Sequence, residues 1–155
     1  MMRLSSAQGS TPGAPGAQRA SLVTSEAHSV SAMFTDGLGN GGLDAWDVDR
    51  LIELTNGLPK EEVRLADLPE IDTVYWFDEC EHPTVRKVVE HFQLLQAVDP
   101  AYPVILGPDN RVMDGMHRIA RALLEGKTTI RAVRLRQLPE PDYRRCQPDE
   151  LPYDR

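Results

Sequence analysis

The fold is decided by residues 111–135, which read RVMDGMHRIARALLEGKTTIRAVRL. Apolar residues recur in this stretch at the spacing of one helix face, namely Met116, Ile119, Ala120, Leu123 and Leu124. Asp114 belongs to a residue type that commonly caps helix N-termini, and Gly126 is suited to end the helix. Residues 128–135 are rich in β-branched side chains, which predicts a strand directly after the helix.

The residues before this helix have the pattern of a β-hairpin. Residues 103–106 form a short apolar run, residues 107–110 read GPDN, and residues 111–113 resume an extended pattern. Glycine, proline, aspartate and asparagine are residue types that favour tight turns. The stretch therefore predicts two strands that lead directly into the helix.

Two more helices are predicted upstream. A short helix, capped by Asp44 or Asp47, is expected to end at Gly57. A second helix begins at Pro83 and is broken by the Asp-Pro pair at residues 99–100. Its apolar residues fall on an amphipathic stripe, formed by Val85, Val88, Val89, Phe92 and Leu95.

The remaining signals complete the fold class. Residues 62–68 predict a short strand or an extended segment. Tyr75, Trp76 and Phe77 are consecutive aromatics, and filling the core is a better interpretation of them than stacking on a base. Strands and helices interleave along the chain, which predicts a small α+β domain with a short mixed sheet packed against helices.

The composition divides the chain into three parts. Residues 1–42 are mostly serine, glycine, alanine, proline and threonine, and we expect disorder because they offer little apolar surface to bury. Residues 43–136 carry the predicted elements and form the domain. Residues 137–155 hold four prolines and several charges, which predicts an irregular strap or a mobile tail. Met33 is an alternative start of translation.

A cytoplasmic protein is expected from these features. The sequence contains no apolar run of membrane-spanning length and no apolar segment typical of a secretory signal near its start. Its two cysteines, Cys80 and Cys146, form no recognisable pattern, so reduced thiols are expected. Residues 79–82 read ECEH, but side chains so close in sequence rarely converge on one ion, and no metal site is expected there.

The charge is unevenly distributed along the chain, whose net charge is −7. Residues 36–82 hold thirteen acidic side chains against three basic ones, whereas residues 111–136 hold seven basic against two acidic. Such a split is typical of self-complementary surface charge, and it equally suits a cationic ligand surface near acidic groups. The negative total disfavours a dedicated nucleic-acid binder.

The start of the third helix carries the residues that point to chemistry. His117 and Arg118 lie in its first turn, where the helix dipole and the unpaired N–H groups already make the surroundings positive. A bound anion would remove this conflict, and Gly115 would let the backbone approach it closely. In the alternative interpretation, Asp114 is only a cap and both basic side chains are solvated.

Residues 43–135 resemble the ParB/sulfiredoxin superfamily. Residues 103–135 match its signature, a hairpin that leads into a Gly-x-His-Arg or Gly-Glu-Arg-Arg helix start. Residues 70–106 are similar to the upstream half of a bacterial branch of that superfamily. The resemblance implies a nucleotide- or phosphate-binding domain that takes ATP, ADP or CTP, with or without Mg²⁺. The phosphate-binding residues that it implies are Gly115, Met116, His117 and Arg118.

Further residues are implied by the same resemblance. Thr84 and Arg86, at the start of the second helix, would line the ligand pocket from the opposite side; a plain cap and a surface charge are the alternative. Sulfiredoxins carry a cysteine where Met116 stands, and a thioether cannot form the thiolate nucleophile, so sulfinic-acid reduction is not expected. Partition proteins continue into a helix-turn-helix DNA reader, which is not predicted here, so DNA binding is the least favoured function.

The motif at residues 114–118 is most similar to the Asp-Gly-x-His-Arg sequence of free-serine kinases. By that resemblance Asp114 and His117 orient phosphates for transfer to a small molecule, and Glu70 acts as general base, with Asp78 or Glu79 as substitutes. The implied activity is that of a phosphotransferase or phosphohydrolase. The alternative is a non-catalytic regulatory module that binds a partner protein.

Overall fold

The computed structural model describes residues 30–34, 43–77, 82–146 and 150–151. Within these residues the chain forms the predicted small α+β fold, with a mixed sheet and three α-helices. The strands are β1 Val30–Phe34, β2 Leu43–Asp47, β3 Lys60–Arg64, β4 Val104–Leu106, β5 Val112–Asp114, β6 Thr129–Arg134 and β7 Tyr143–Cys146. The helices are α1 Val48–Thr55, α2 Val85–Ala97 and α3 Met116–Leu124, with short 3₁₀ helices at Leu65–Asp67 and Pro69–Asp72.

The larger sheet has the strand order β3-β6-β4-β5. Strand β6 is antiparallel to β3 and parallel to β4, while β4 and β5 form the antiparallel hairpin predicted from the GPDN turn. A second, antiparallel sheet has the order β1-β2-β7. The hairpin therefore delivers the chain directly to the start of α3.

Two apolar clusters cover the two faces of the larger sheet. Successive side chains of a strand point to opposite faces. Val104 and Leu106 of β4 accordingly pack in the cluster that contains Ile119 of α3, while the intervening Ile105 packs in the cluster that contains Leu51 of α1. The sheet therefore lies between α3 and α1. Helix α3, which carries the motif, covers one of its faces.

Helix α1 confirms the capping prediction. The carboxylate of Asp47 accepts hydrogen bonds from the backbone N–H groups of Asp49 and Arg50, at 2.8 and 3.3 Å. Gly57, with a φ of +82°, follows the helix end as expected. Asp47 rather than Asp44 is therefore the cap.

Helix α2 has the predicted position but not the predicted orientation. Of the amphipathic stripe only Leu95 is buried, whereas Val85 is 83% exposed and Val88, Val89 and Phe92 are also exposed. The helix packs through another face, on which His91 meets α3. Periodicity locates an apolar stripe, but a tertiary contact decides which side of the helix the protein covers.

Helix α3 is rotated slightly from its predicted face. Its buried residues are Met116, Ile119 and Ala122, whereas Leu123 and Leu124 are exposed. Gly126, with a φ of +72°, lets the N–H of Lys127 donate to the carbonyl of Ala122 at the helix end. The helix and its end are therefore as predicted, while the two leucines are not core residues.

Two strands lie in segments that the sequence placed outside the domain. Strand β1 lies within residues 1–42, where disorder was expected, and pairs with β2. Strand β7 lies within residues 137–155 and pairs with β2 from the other side. The segment before β7 is held in place, because the indole of Trp46 donates to the carbonyl of Pro139 at 2.9 Å and Arg50 pairs with Asp142 at 2.7 Å. Pairing with β2 accounts for the two strands, β1 and β7, despite the polar composition of the sequence around them.

Candidate functional site

The start of α3 has a backbone conformation that favours glycine. Gly115 is the N-cap residue, with φ 110° and ψ 23°, and no side chain caps the helix. The prediction that Asp114 is the N-cap is therefore wrong. Asp114 is the last residue of β5, and its carboxylate is turned to Arg118 instead.

Close packing is a second reason for glycine at this position. A Cβ atom on residue 115 would lie 2.7 Å from Cγ1 of Val104 and 2.8 Å from Nη2 of Arg118. The guanidinium of Arg118 thus folds back over the helix start, into space that a side chain on residue 115 would occupy.

Arg118 has a carboxylate partner within the protein. Its Nη2 donates to Oδ2 of Asp114 over 2.6 Å, and the two side chains are only 9% and 19% exposed. Its Nε is buried and has no hydrogen-bond partner among the described residues. The alternative interpretation of Arg118 as a solvated surface cation is therefore excluded, and its charge at the helix start is balanced by Asp114.

His117 is also held by the protein. Its Nε2 lies 2.9 Å from Nδ1 of His91 on α2, so the two rings share a hydrogen bond. Trp76 stacks on both imidazoles, with ring centroids 4.6 Å from His91 and 4.7 Å from His117. Burial lowers the pKa of His117 to about 4, and the charges of His91 and Arg118 add to the effect. His117 is therefore neutral near pH 7.

These contacts change the electrostatic basis of the anion hypothesis. The sequence suggested two unbalanced positive charges in the first turn of α3, but His117 is neutral and Arg118 is paired. The groups at the helix start that remain available to an anion are therefore backbone N–H groups rather than side-chain cations. The first N–H groups of a helix have no acceptor within it, and no side chain caps those of α3.

A cavity of about 900 Å³ lies beside α3. Its walls come from the segment after β3, from residues 82–83 before α2, and from the side of α3 that carries Met116, Ile119 and Leu123. Tyr75, Trp76 and Phe77 line it as well. The aromatic residues thus form a cavity wall, and Tyr75 is exposed rather than in the core.

Glu70, the predicted general base, lies in the wall of this cavity. Its Oε1 accepts a hydrogen bond from the backbone N–H of Val112 at 3.0 Å, which fixes the side chain beside β5. Its Oε2 is buried and has no hydrogen-bond partner among the described residues. A buried acceptor without a donor costs about 1–3 kcal/mol. The substitutes Asp78 and Glu79 lie outside the described residues, as does Cys80.

Thr84 and Arg86 do not reach the cavity. The hydroxyl of Thr84 accepts from the backbone N–H of Lys87 and caps α2, and Arg86 is exposed. The cavity wall reaches His82 and Pro83 but neither of these two residues. Thr84 is a helix cap and Arg86 is a surface charge, as in the alternative interpretation of these residues.

The opposite side of α3 borders a second, polar cleft of about 600 Å³. Arg118, Arg121, Lys127 and Arg131 line it together with two carboxylates, Glu62 and Glu125. Glu125 pairs with Arg121 at 2.9 Å and with Lys127 at 2.8 Å, so much of the positive charge is balanced locally. The basic strip seen in the sequence therefore forms ion pairs within the domain.

Sequence reasoning did not identify His91. It lies within the second helix among apolar residues, and nothing in its spacing connects it to His117. The signal that the sequence offered was the spacing of His91, four positions before Leu95, which places the two residues on the same side of the helix.

No protein-family model matches the chain, and no curated protein or solved structure matches it either. Within the described part of the chain, His, Cys, Asp and Glu side chains do not gather in groups of three or more that could hold a metal ion. None of the helices formed by the described residues has the length and apolar content of a transmembrane span.

Proposed function

We propose that the start of α3 binds the phosphate group of a nucleotide or of another phosphorylated small molecule. The observation that carries this proposal is the uncapped helix start behind Gly115, next to a cavity large enough for a small ligand. Backbone N–H groups at a helix N-terminus are well suited to phosphate oxygens. In this proposal the backbone binds the anion, and the surrounding side chains hold the backbone in place.

Arg118 and His117 would act from fixed positions. Asp114 holds the guanidinium of Arg118 beside Gly115, and His91 holds the ring of His117. Groups that are ordered before a ligand arrives lose less entropy on binding than mobile side chains do. The pairings that remove these residues from solvent therefore support a preformed site.

The same features support a ParB/sulfiredoxin-like domain. The β4–β5 hairpin runs into α3 through its N-cap Gly115, followed by Met116, His117 and Arg118. A hairpin that leads into such a helix start supports the proposed relationship. By the resemblance, Met116 stands where sulfiredoxins carry a cysteine, and a buried thioether cannot supply a thiolate, so sulfinic-acid reduction is not part of the proposal.

Phosphotransfer is the extension that Glu70 favours. Glu70 lies in the wall of the cavity that Met116 also lines, and its Oε2 is buried without a hydrogen-bond partner among the described residues. An acceptor hydroxyl would give its proton to Glu70 as its oxygen bonds to phosphorus, and the bridging oxygen of the nucleotide would leave with the electrons of the broken bond. A regulatory module without turnover would bind the same ligand and leave it unchanged.

The binding proposal is tested by thermal unfolding with ATP, ADP, CTP and pyrophosphate, with and without Mg²⁺. We expect at least one of them to raise the Tm of the wild type. Gly115→Ala places a Cβ against Val104 and Arg118 at the helix start, and it should reduce the shift. Gly126→Ala, at the other end of α3, places a Cβ where nothing lies within 4 Å, so it should keep the shift. No shift with any of these compounds would exclude the phosphate site.

Turnover is tested separately. Wild-type protein that consumes nucleotide, with loss of consumption but retained binding in Glu70→Gln, would support phosphotransfer or phosphate hydrolysis. Binding without consumption in the presence of candidate acceptors would support the regulatory alternative.

A further inference from the structure

Helix α2 presents an apolar stripe that the domain leaves exposed. Val85 is 83% exposed, Val88 and Val89 are each 48% exposed, and Phe92 is 46% exposed. Their spacing of i, i+3, i+4 and i+7 places these side chains together on one side of the helix. A row of neighbouring apolar side chains in contact with water is typical of a surface that binds another protein.

The stripe is complementary in shape to a second copy of itself. Val85 and Phe92 are equally distant from the midpoint between Val88 and Val89. If two α2 helices run antiparallel about a two-fold axis at this midpoint, Val85 of each copy lies opposite Phe92 of the other. A small side chain then meets a large one at both ends of the contact, which lets two helix faces interdigitate.

The charged residues beside the stripe are self-complementary as well. Arg86 and Glu90 are exposed and lie one helical turn apart, on the Val89 side of the stripe. Neither forms an ion pair within the described part of the chain. In the antiparallel pair, Arg86 of one copy stands one residue, about 1.5 Å along the axis, from the level of Glu90 of the other. In a parallel pair in register, each charge would instead stand level with its own copy.

The overall charge also bears on the choice of partner. The net charge of the chain is −7, so two copies repel each other unless the surfaces in contact are locally balanced. Helix α2 carries two basic residues, Arg86 and Lys87, against the single acidic Glu90. Two α2 helices can therefore meet without adding to the repulsion between the acidic chains.

We propose that two copies of this chain pair through α2. The helices run antiparallel, the apolar stripes are in contact, and Arg86 of each copy lies beside Glu90 of the other. A two-fold contact of one surface with itself is the commonest form of protein oligomer. The stripe supplies far fewer residues than the roughly 20–30 that each partner contributes to a standard interface, so a weak dimer is expected. This inference does not depend on the phosphate site.

The first test is analytical ultracentrifugation of the full chain, without ligand, over a series of concentrations. We expect reversible dimerisation that increases with concentration. Val89→Glu should weaken it about tenfold or more, because the contact would bury an unpaired charge at its centre. Leu138→Glu is the matched control: Leu138 is 47% exposed and precedes Pro139, which contacts Trp46 on the α1 side of the sheet. This control should dimerise as the wild type does.

Charge reversal tests whether the partner of α2 is another α2. Arg86→Glu and Glu90→Arg should each weaken dimerisation about threefold or more, since like charges then face each other across the contact. In an equimolar mixture of the two variants, every acidic position can meet a basic one, so dimerisation should return to the wild-type level. A contact between α2 and any other surface would gain nothing from the mixture.

Three results would overturn the inference. These are a wild-type chain that remains monomeric at every concentration, dimerisation that Val89→Glu leaves unchanged, and a mixture that dimerises no better than the separate charge variants. Circular dichroism verifies the fold of each variant, and Phe92→Asp replaces Val89→Glu if that chain does not fold. Since no nucleotide is present, the result is independent of the Tm measurements.

Discussion

The guanidinium of Arg118 donates to the carboxylate of Asp114 across 2.6 Å, at the point where β5 becomes α3. The two residues are four positions apart, yet Asp114 lies in the strand and Arg118 in the helix. Their contact therefore ties the end of the strand to the first turn of the helix. It also explains why a residue type that commonly caps helices does not cap this one.

Removal of Arg118 should be strongly destabilising. Arg118→Leu leaves the carboxylate of Asp114 largely buried without its cation, and breaking a buried pair in this way costs roughly 3–5 kcal/mol. The partial exposure of Asp114 places the expected loss at the lower end. The double variant Asp114→Asn, Arg118→Leu should recover part of it. Urea unfolding measures the free energy of unfolding of the wild type, of Arg118→Leu and of the double variant. A double variant less stable than Arg118→Leu would contradict the explanation.

Gly115→Ala should cost more than another glycine substitution at positive φ. Both Gly115 and Gly126 have positive φ, so alanine introduces backbone strain of roughly 1–2 kcal/mol at either position. At residue 115 the new Cβ also meets Val104 and Arg118, whereas at residue 126 nothing lies within 4 Å. Overpacking adds about 1–3 kcal/mol. Equal losses of unfolding free energy in the two variants would show that the close packing is unimportant.

Stability should depend on His117 in mildly acidic solution. The pKa of His117 is lowered from 6.5 to about 4 in the folded protein, chiefly by burial. Between pH 6.5 and pH 4 the unfolded chain binds a proton at this histidine that the folded protein does not bind. The stability contributed by neutral His117 is therefore fully present above pH 6.5 and is lost as the pH falls toward 4. We expect the decrease in Tm from pH 7 to pH 4.5 to be smaller in His117→Gln than in the wild type. Parallel pH profiles of the two proteins would contradict this assignment.

The two ends of the apolar stripe of α2, at Val85 and Leu95, should respond differently to truncation. Leu95 is 9% exposed, and Leu95→Ala should cost roughly 2–5 kcal/mol, as is usual for core leucines. Val85 is 83% exposed, and Val85→Ala should change the stability by no more than about 0.5 kcal/mol. Chemical denaturation measures the free energy of unfolding of the two variants. Similar losses in both would show that Val85 is a core residue, as the sequence pattern suggested.

The local signals of the sequence were sufficient for the hairpin, for α1 and α3, and for the strand after α3. Each of these elements depends on neighbours in sequence: the GPDN turn, the cap at Asp47, and the glycines that end the helices. The position of Glu70 was inferred from the family resemblance rather than from local signals, and Glu70 and α3 line one cavity. Short-range chemistry therefore determined most of the framework.

Contacts between distant residues account for what the sequence did not predict. His91 and His117 are separated by 26 positions in sequence and share a hydrogen bond. The side of α2 that carries His91 faces α3, and most of the apolar stripe is left exposed. Asp114 loses the capping role because Arg118 competes for its carboxylate. Strands β1 and β7 each pair with β2, one on either side of it. None of these relations leaves a periodic trace in the chain.

Helix α3 forms a wall of two hollows with opposite chemistry, the apolar cavity on one side and the polar cleft on the other. The nine residues of α3 separate the two hollows. A rotation of the helix about its axis that widened one hollow would narrow the other. Substitutions that reposition α3 should therefore alter both hollows at once.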